Sequence, residues 1–561
     1  MLSINKFILL FSLFFISNFT VFSQEKAPFR RCGNTLHAPT HISALPQTFS
    51  QARYFENVER FYQANLPTVV HVIYTTENAN IGTGDNISSD QIWSQIITTN
   101  KDWNRDNSNK EQTLEEFKSV ASNMQVNLKM ALYDEDGNTM EEPGVNRFYK
   151  HPGSKGYFTT SEVDKIISDN IWNPEKYINI WVIKLSGDLL GYAYFPNFLE
   201  LGGLRWVSQG ELASDDIDGV VINTEYFGSN EFGGDYNLDY PFHLGRTTTH
   251  ELGHYLGILH PWGVGNAGNC GGDAYVDENG NEKTPKDDFC DDTPRVNGTH
   301  ADNPNNIIFC DQDTEFLTQY LCDTENFSSS MYQNFMDYTN DSCMTLFTAD
   351  QRYRVDTVLT LSPARRTLNE GAPDVSITME DSKTVSNTEY NEIFWQSEVN
   401  NSEIDIAGYI VEREVDGNGY QYISTILSNT VRSYKDVLPS ASYTSKKISY
   451  KVYAVNSSGF SMGSNIVSIT NGVVGIDKVT KDAFKIYPNP STGIFTVNLQ
   501  DYVSQNGLLE VYSTTGKMIY SRNISVDEMV IEVDLSKQSR GTYIMRFSSD
   551  LGIFTQRCIK N

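Results

Sequence analysis

A cluster of histidines with the spacing of a metal site lies near the middle of the chain. The segment HELGHYLGILH contains His250, His254 and His260, and Glu251 directly follows the first histidine. His250 and His254 are four residues apart, so a helix places them one turn apart on the same face. Gly257 can end this helix in a left-handed conformation and turn the chain, which would bring His260 to the same ion.

Three imidazoles beside a carboxylate are the components of a catalytic zinc site. Three neutral histidines leave the fourth position of a tetrahedral zinc ion open to a water molecule. Glu251 is then the general base that takes a proton from this water and passes it to the leaving amine. The alternative is that the histidines are ordinary core or surface residues of a helix, but the full spacing of His, Glu and Gly favours zinc.

The N-terminal segment and the net charge indicate an exported protein. Residues 1–23 carry one lysine and then an apolar run that is too short to cross a bilayer, which is typical of a secretory signal peptide cleaved after Ser23. We expect no transmembrane segment in the remaining chain. The net charge of −28 disfavours nucleic acid or an anionic membrane as a partner, because phosphate groups would be repelled.

Hydrophobic patterns divide the 561-residue chain, which is too long for one ordinary core, into several domains. A β-branched run from Leu66, three later runs of the same kind and a capped helical pattern over residues 88–107 predict an α/β (α+β) domain over residues 53–368. Within it, residues 263–343 are rich in Gly, Asp and Asn, which predicts long loops held by disulfides and ions.

Residues 373–471 and 479–561 consist of short alternating strands between turns, which predicts two all-β sandwich domains. In the first, Trp395, Tyr409, Tyr450 and the segment VYAVNSSG resemble a fibronectin type III module, whose usual role is that of a spacer or an adhesive module. The second resembles the C-terminal sorting domain of proteins exported by the Bacteroidetes type IX secretion system, although a second plain β-sandwich is the alternative. The match to the sorting domain is carried by Pro488, Asn489, Pro490, Gly493, Asp534, Leu535, Gly541 and Tyr543.

A methionine downstream of the histidines identifies a known peptidase group. Met336 lies in QNFMDYTNDSCMTLF and is followed two residues later by Tyr338. HExxHxxGxxH with such a Met-turn is the metzincin signature. The histidine motif followed by Trp262, with CDDTP and NFMDY further on, resembles the pappalysin family and most of all its ulilysin and mirolysin branch. The resemblance covers roughly residues 53–366.

The resemblance implies roles for the residues of the site. Zinc would be bound by His250, His254 and His260. Glu251 would be base and acid, Met336 would form an apolar floor under the metal, and Tyr338 would donate a hydrogen bond to the developing oxyanion. Family members with an aspartate at the position of Asp341 prefer a basic residue after the scissile bond, so we expect cleavage before Arg or Lys. The alternative for Asp341 is a solvated turn residue.

The loops after the histidine motif suggest disulfides and calcium. The family resemblance implies the pairs Cys290–Cys343 and Cys270–Cys322, with Cys310 as a rival partner in the second pair. The acidic segment of residues 271–292 resembles the region where these enzymes hold calcium, and its hard oxygen ligands suit that ion. The candidate calcium ligands are Asp273, Asp277, Asp288 and Asp291, with solvated loop charges as the alternative.

A cysteine near the N-terminus suggests a latent precursor. Cys32, in the segment FRRCGN of a prosegment over residues 24–52, resembles the cysteine-switch segments of metzincin zymogens. Its thiolate could take the fourth zinc position and displace the water. The alternative is a disulfide to Cys310 or Cys558. If the enzyme cuts before basic residues, it could release the switch itself before Arg53.

The sequence therefore predicts a secreted zinc endopeptidase with structural calcium, made as a zymogen. Its partners would be protein or peptide substrates and the type IX secretion machinery, and it would be released or anchored at the outer cell surface. Two alternatives stay open. One is a zinc hydrolase of non-peptide substrates, which the Met-turn disfavours, and the other is a non-proteolytic cell-surface adhesin, which an intact Glu251 disfavours.

Overall fold

The computed structural model describes the chain in segments. These are residues 30–32, 63–186, 189–263, 275–276, 282–283, 288–298, 321–322, 324–370, 372–381, 385–386, 390–399, 406–437, 443, 446–470, 484–499, 507–513, 517–525, 530–549 and 552–561. The chain divides into two compact units, Met1–Gly472 and Val473–Asn561. No helix in the described segments is long and apolar enough to span a membrane.

The structure describes four α-helices in the first part of the chain. They are α1 Ser89–Trp103, α2 Thr160–Asn170, α3 Arg246–Tyr255 and α4 Ala349–Leu361. The strands of the same part are β1 Arg30–Cys32, β2 Ala64–Tyr74, β3 Ala121–Ser122, β4 Val126–Met130, β5 Val145–Tyr149, β6 Ile178–Ile183, β7 Leu189–Ala193, β8 Val220–Asn223, β9 Tyr275–Val276, β10 Glu282–Lys283 and β11 Phe347–Thr348.

The later strands form the two β-rich parts. The first has β12 Val375–Met379, β13 Val385–Ser386, β14 Tyr390–Val399, β15 Gly408–Val415, β16 Gln421–Ile426, β17 Ser433–Val437, β18 Lys447–Asn456, β19 Gly459–Phe460 and β20 Val467–Thr470. The second has β21 Lys485–Tyr487, β22 Ile494–Asn498, β23 Gly507–Ser513, β24 Met518–Ile524, β25 Val530–Asp534, β26 Gly541–Ser549 and β27 Gly552–Lys560.

A mixed sheet with helices on both faces forms the first part. Its described strand order is β1-β7-β8-β6-β2-β4, with β5 also paired to β2, and every pairing is parallel except that of β7 with β8. Alternate residues of β6 face opposite layers: Ile180 and Val182 pack with α1, α3 and α4, whereas Trp181 and Ile183 pack with α2. Because both faces are covered, β2 is an almost continuous apolar run, as predicted near Leu66.

The predicted long helix is α1, and its start follows from a local cap. The side chain of Ser88 accepts a hydrogen bond from the backbone N–H of Gln91, which satisfies one of the unpaired donors of the first turn. The apolar residues Ile92, Ile96 and Trp103 are buried against the sheet and α3. The helix therefore lies directly between the sheet and the segment that carries the first two histidines.

The two β-rich parts each consist of two facing sheets. In the first, β12-β14-β13 with β17 faces β16-β15-β18-β19 with β20, and Trp395, Tyr409 and Tyr450 are buried between them. In the second, β21-β22-β25 faces β24-β23-β26-β27. Asn489, one of the residues that carry the sorting-domain match, donates to Arg557 O and accepts from Ile559 N of β27. These folds confirm the prediction of two all-β sandwiches.

A buried ion pair closes the mixed domain at its C-terminal end. Arg365 follows α4 and donates two hydrogen bonds to the carboxylate of Asp218, at 2.6 and 2.7 Å. Both side chains are fully buried, and the guanidinium also stacks 3.7 Å from the ring centre of Tyr255 at the end of α3. Since two desolvated charges compensate each other here, removal of one would leave the other buried and unpaired.

We expect Asp218→Asn to lower the free energy of unfolding of the first unit by about 3–5 kcal/mol, because the Arg365 charge loses its partner. Asp169→Asn is the matched control, since its ion pair with Lys165 is largely exposed, and it should change stability by less than about 0.5 kcal/mol. Chemical denaturation followed by tryptophan fluorescence measures the stability of both variants. The signal reports on the first unit because all seven tryptophans precede residue 472. Equal losses in the two variants would contradict the proposed role of the pair.

Candidate metal centre

The three histidines of the motif converge on one point. His250 and His254 lie on α3, whose ten residues are all buried, and Gly257 has a φ of +86°, which confirms the predicted left-handed turn after the helix. This turn returns the chain so that His260 Nε2 lies 2.9 Å from His254 Nε2 and 3.3 Å from His250 Nε2. A tetrahedral zinc ion with bonds of about 2.0–2.1 Å holds its nitrogen ligands about 3.3 Å apart. The three nitrogens therefore fit one zinc ion.

Hydrogen bonds to backbone carbonyls orient two of the rings. His250 Nδ1 lies 2.8 Å from Phe335 O, and His254 Nδ1 lies 2.8 Å from Ile258 O. A carbonyl oxygen can only accept, so each Nδ1 carries the proton and each Nε2 keeps its lone pair. This is the tautomer that a metal ion requires when Nε2 is the ligand atom.

Burial keeps the imidazoles of His254 and His260 in the neutral form. Loss of solvent lowers the pKa of His254 to about 4. The pKa of His260 is also well below its usual value, first because of burial and then because of the neighbouring His254 and His250. Since a protonated imidazole cannot bind a metal ion, these shifts favour metal binding at neutral pH.

Met336 lies directly against the helix that carries the histidines. It is fully buried, and a Cβ atom on Gly253 would lie 2.4 Å from its sulfur, so glycine is required between the two histidines. Asn334 accepts the backbone N–H of Met336 and exchanges hydrogen bonds with Gln351 of α4. The Met-turn is thus tied to α4 and supports α3 from below.

Two aromatic rings enclose His260. Tyr338 is half-buried, and its ring centre lies 5.0 Å from that of His260. The Trp262 ring stacks on His260 at 4.5 Å and 13° and meets Tyr338 edge-on at 4.9 Å. The sequence motif contained Trp262, but only the structure shows that its ring lies flat on the histidine.

Cys32 lies at the same point as the histidines. Its strand β1 extends the mixed sheet, and Cys32 pairs with Gly191 of the parallel neighbour β7. The Cys32 sulfur and one ligand nitrogen of each histidine all lie within 4.8 Å of one another, and the thiol donates to Glu251 Oε2 at 3.3 Å. The alternative pairing of Cys32 with Cys558 is not formed, because Cys558 has a free thiol.

Asp341 is not a solvated turn residue. It is fully buried, and its Oδ2 accepts the backbone N–H groups of Leu244 and Arg246, at 2.9 and 3.3 Å. Arg246 is the first residue of α3, which begins after Gly245 without a side-chain cap from that residue. Asp341 therefore satisfies donors at the start of the helix that carries the histidines.

A buried charge cluster that the sequence reading missed surrounds the first turn of α3. The Arg246 guanidinium lies 3.3 Å from Asp102 and 2.5 Å from Glu231, and Thr249 donates to Asp102 at 2.7 Å. Burial raises the pKa of Asp102 to about 7, against the opposing effect of Arg246. The partners are far apart in the sequence and follow no local pattern, so no sequence motif could identify them.

The predicted disulfide between Cys290 and Cys343 is wrong. Cys290 has a free thiol, which is directed at the carbonyl of Asp288, whereas Cys322 and Cys343 are each disulfide-bonded. Cys270 and Cys310 lie outside the described residues, so the Cys270–Cys322 pair stays a prediction.

Two of the four candidate calcium ligands, Asp288 and Asp291, lie in the described residues. Asp288 is buried and accepts from Thr293 and from the backbone N–H of Cys290. Asp291 is exposed. Asp273 and Asp277 lie outside the described residues, so calcium stays a prediction.

Comparisons with known proteins agree with the geometry. Residues 161–360 match a peptidase M43 family model described as pregnancy-associated plasma protein-A, and residues 485–561 match a secretion system C-terminal sorting domain. The chain is 27% identical to an extracellular metalloprotease of Sordaria macrospora over 32% of this chain and 47% of that protein. It thus spans about half the length of the first curated relatives that it matches.

Solved structures extend the comparison over the first part of the chain. Mature mirolysin of Tannerella forsythia in complex with a cleaved peptide is 30% identical, with 55% of this chain and 96% of that chain covered and a TM-score of 0.41. The human fibronectin type III domain containing protein 3 provides a fibronectin type III domain that is 21% identical over 18% of this chain and 87% of that chain, with a TM-score of 0.14.

The sorting domain and the extracellular relatives place the protein outside the cell or at its surface. The M43 match contains all three histidines, Met336 and Tyr338, and the identity to mirolysin extends over nearly all of that protein. The chain belongs to the pappalysin family of metallopeptidases and carries a secretion-system sorting domain over residues 485–561.

Proposed function

We propose that the protein is a zinc endopeptidase that acts on proteins outside the cell or at the cell surface. The observation that carries this proposal is the convergence of three buried imidazole nitrogens beside the buried carboxylate of Glu251. His250, His254 and His260 would hold the zinc ion, which when bound lowers the pKa of a water molecule and polarises the scissile carbonyl.

The residues of the chain would perform the proton transfers. Glu251 accepts a proton from the attacking water and donates it to the leaving amine, a role that suits a carboxylate held next to the metal ligands. Tyr338 is placed beside His260, and its hydroxyl group would donate a hydrogen bond to the oxygen on which charge develops. Met336 keeps the floor of the site apolar and fixes the position of α3.

An inert adhesin would not require three histidines and Glu251 to be buried together. Three neutral imidazoles buried in one place cost desolvation free energy unless they bind an ion. Glu251 is likewise fully buried, and such a carboxylate is destabilising outside a functional or paired setting. A zinc hydrolase of small molecules remains the second candidate, and a protein digest separates it from a peptidase.

Glu251→Gln should reduce the rate of peptide hydrolysis at least about a thousandfold, because the proton acceptor is lost while the side-chain volume is kept. Zinc content, measured by mass spectrometry of the native protein, should stay at the wild-type value because the three histidines are unchanged. Glu225→Gln, at an exposed residue of the short helix after β8, is the control and should keep full activity. Retained casein hydrolysis in Glu251→Gln would contradict the mechanism.

The position of Cys32 supports a latent precursor. Its sulfur lies within 4.8 Å of one ligand nitrogen of each of the three histidines, and its strand pairs with β7. A thiolate is a strong zinc ligand, so it would displace the attacking water, and the proton that the Cys32 thiol directs at Glu251 Oε2 would pass to that carboxylate and occupy the general base. Activation then requires cleavage after Cys32, and a cut before Arg53, which lies outside the described residues, would allow self-activation.

Cys32→Ser should make the unprocessed precursor active, with hydrolysis of a fluorogenic peptide at least about tenfold faster than in the wild-type precursor, since serine is a much weaker zinc ligand. Cys290→Ser is the matched control because Cys290 is another buried free thiol of the same domain. Mass spectrometry of the N-terminus confirms that the prosegment is still attached. A Cys32→Ser precursor that stays as latent as Cys290→Ser would eliminate the switch.

Asp341 would select a basic side chain after the scissile bond. Around the start of α3, one guanidinium, that of Arg246, interacts electrostatically with three carboxylates, those of Asp102, Glu231 and Asp341. The cluster therefore has an excess of negative charge, which a Lys or Arg side chain of a substrate would balance. The acceptor role of Asp341 for Leu244 and Arg246 explains how this carboxylate is held in place.

Asp341→Asn should reduce the preference for Arg and Lys at this subsite by about tenfold, measured as kcat/KM on a peptide library. Asparagine keeps a carbonyl oxygen for the two backbone donors, so α3 should start as before. The control is Asp337→Asn, which removes another buried carboxylate of the same turn and should keep the preference. An unchanged profile in Asp341→Asn would exclude this residue as the specificity determinant.

A further inference from the structure

The fibronectin type III-like part lies close to the peptidase part because the connection is very short. A short 3-10 helix, Arg366–Asn369, follows α4, and β12 begins at Val375, so only residues 370–374 join the two. Both parts belong to one compact unit of the chain. A spacer domain is normally joined by a longer flexible linker, so this connection indicates a fixed arrangement.

A buried ion pair joins the two parts. Lys129 of β4 lies 2.7 Å from Glu412 of β15, with only 7% and 9% of the side chains exposed. The ammonium group also lies 3.8 Å from the ring centre of Tyr453 on β18. Burial lowers the pKa of Lys129, and Glu412 opposes this effect. A lysine buried in this way is stable only while its carboxylate partner is present.

Apolar and polar contacts surround this ion pair. Leu132, just after β4, is buried in one cluster with Ile410, Val455 and Phe460 of the fibronectin-like sheet. The side chain of Asn65 donates to the backbone carbonyl of Ser461, at 2.7 Å. The interface thus combines buried apolar contacts with directional hydrogen bonds.

The turn between β15 and β16 contacts one face of α1. Lys101 donates to Gly417 O at 2.8 Å, and the Trp93 ring is nearly parallel to that of Tyr422. A Cβ atom on Gly419, which has a φ of +94°, would lie 2.3 Å from Ile97, so this glycine allows the close approach of the turn. Positions 93, 97 and 101 share one face of the helix.

The opposite face of α1 holds the helix with the zinc-binding histidines. Gln95 donates to Gly245 O at 2.9 Å, directly before α3. Asp102 accepts from Thr249, the neighbour of His250, and pairs with Arg246. Helix α1 is therefore held between the fibronectin-like turn on one side and the first turn of α3 on the other.

We propose that the fibronectin type III-like domain is a positioning element of the active site, which fixes α1 and through it the zinc-binding helix. Lys129, Glu412 and the Gly417–Gly419 turn are its positioning residues, and none of them belongs to the group of candidate metal ligands. The assignment of the metal site rests on the proposed function, whereas the interface itself does not. The usual role of a spacer or adhesive module then does not describe this domain.

Glu412→Gln in the full-length, processed protein tests the proposal. It leaves Lys129 without its carboxylate, and we expect kcat to fall about tenfold with little change in KM, together with an about tenfold weaker affinity for zinc in competition with a chelator. Lys129→Met/Glu412→Leu removes both charges and fills the same space, so it should restore both quantities to within about twofold of the wild type. A loss of stability alone would leave kcat unchanged below the melting temperature.

Asp436→Asn is the matched control, because Asp436 pairs with Arg413 within the fibronectin-like domain. Arg413 lies on β15, the strand that also carries Glu412. It should lower the melting temperature and leave kcat and zinc affinity unchanged. Lys101→Ala removes the contact with Gly417 without leaving a buried charge. It therefore serves as a second test of the proposal if Glu412→Gln does not fold. Its expected effect is a smaller fall in kcat and in zinc affinity.

Two results would overturn the proposal. One is wild-type kcat and zinc affinity in both Glu412→Gln and Lys101→Ala, and the other is an equal loss in Asp436→Asn. If the wild-type protein hydrolyses no peptide, the proposed function fails, and the chelator competition alone then decides whether the interface controls the metal site.

Discussion

The convergence of three buried imidazoles on one point is the constraint on which the structure depends. The rings must be held firmly in place, and they must keep their Nε2 lone pairs directed inward. Burial and the carbonyl groups of Phe335 and Ile258 meet both conditions for His250 and His254. One of these carbonyls lies on the Met-turn and the other on the loop after α3, so the ring orientations depend on two segments outside the helix.

The position of α3 depends in turn on buried charges. Asp341 binds the N–H groups at the start of the helix, and Asp102 and Glu231 hold its first side chain, Arg246. These groups are buried together, so each is stable only while the others are in place. The cluster thus makes the geometry of the metal site sensitive to α1 and to the turn after Met336, which are remote from the histidines in the sequence.

Sequence patterns predicted the features that depend on neighbouring residues. The Ser88 cap of α1, the apolar run of β2 and the left-handed Gly257 follow from local backbone chemistry, and the structure has all three. The pairing of Cys290 with Cys343, which the family resemblance implied, failed because a disulfide depends on the direction of two distant Cβ bonds, which a sequence does not specify. The contact of Lys129 with Glu412 was missed for a related reason: a buried charge and an exposed charge look the same in a sequence.

Two kinds of contact would hold β1, namely strand pairing and a thiolate–zinc bond. A three-residue strand contributes few hydrogen bonds, so β1 alone would hold the sheet edge at β7 only weakly. A thiolate–zinc bond at Cys32 would add an anchor at the end of that strand, while the strand would raise the local concentration of the thiol at the metal. Since each contact makes the other more favourable, loss of either one releases both. Without β1, the edge of β7 could accept an extended peptide by strand addition, so an arrangement that held the thiol at the metal would also cover a surface on which a substrate could bind.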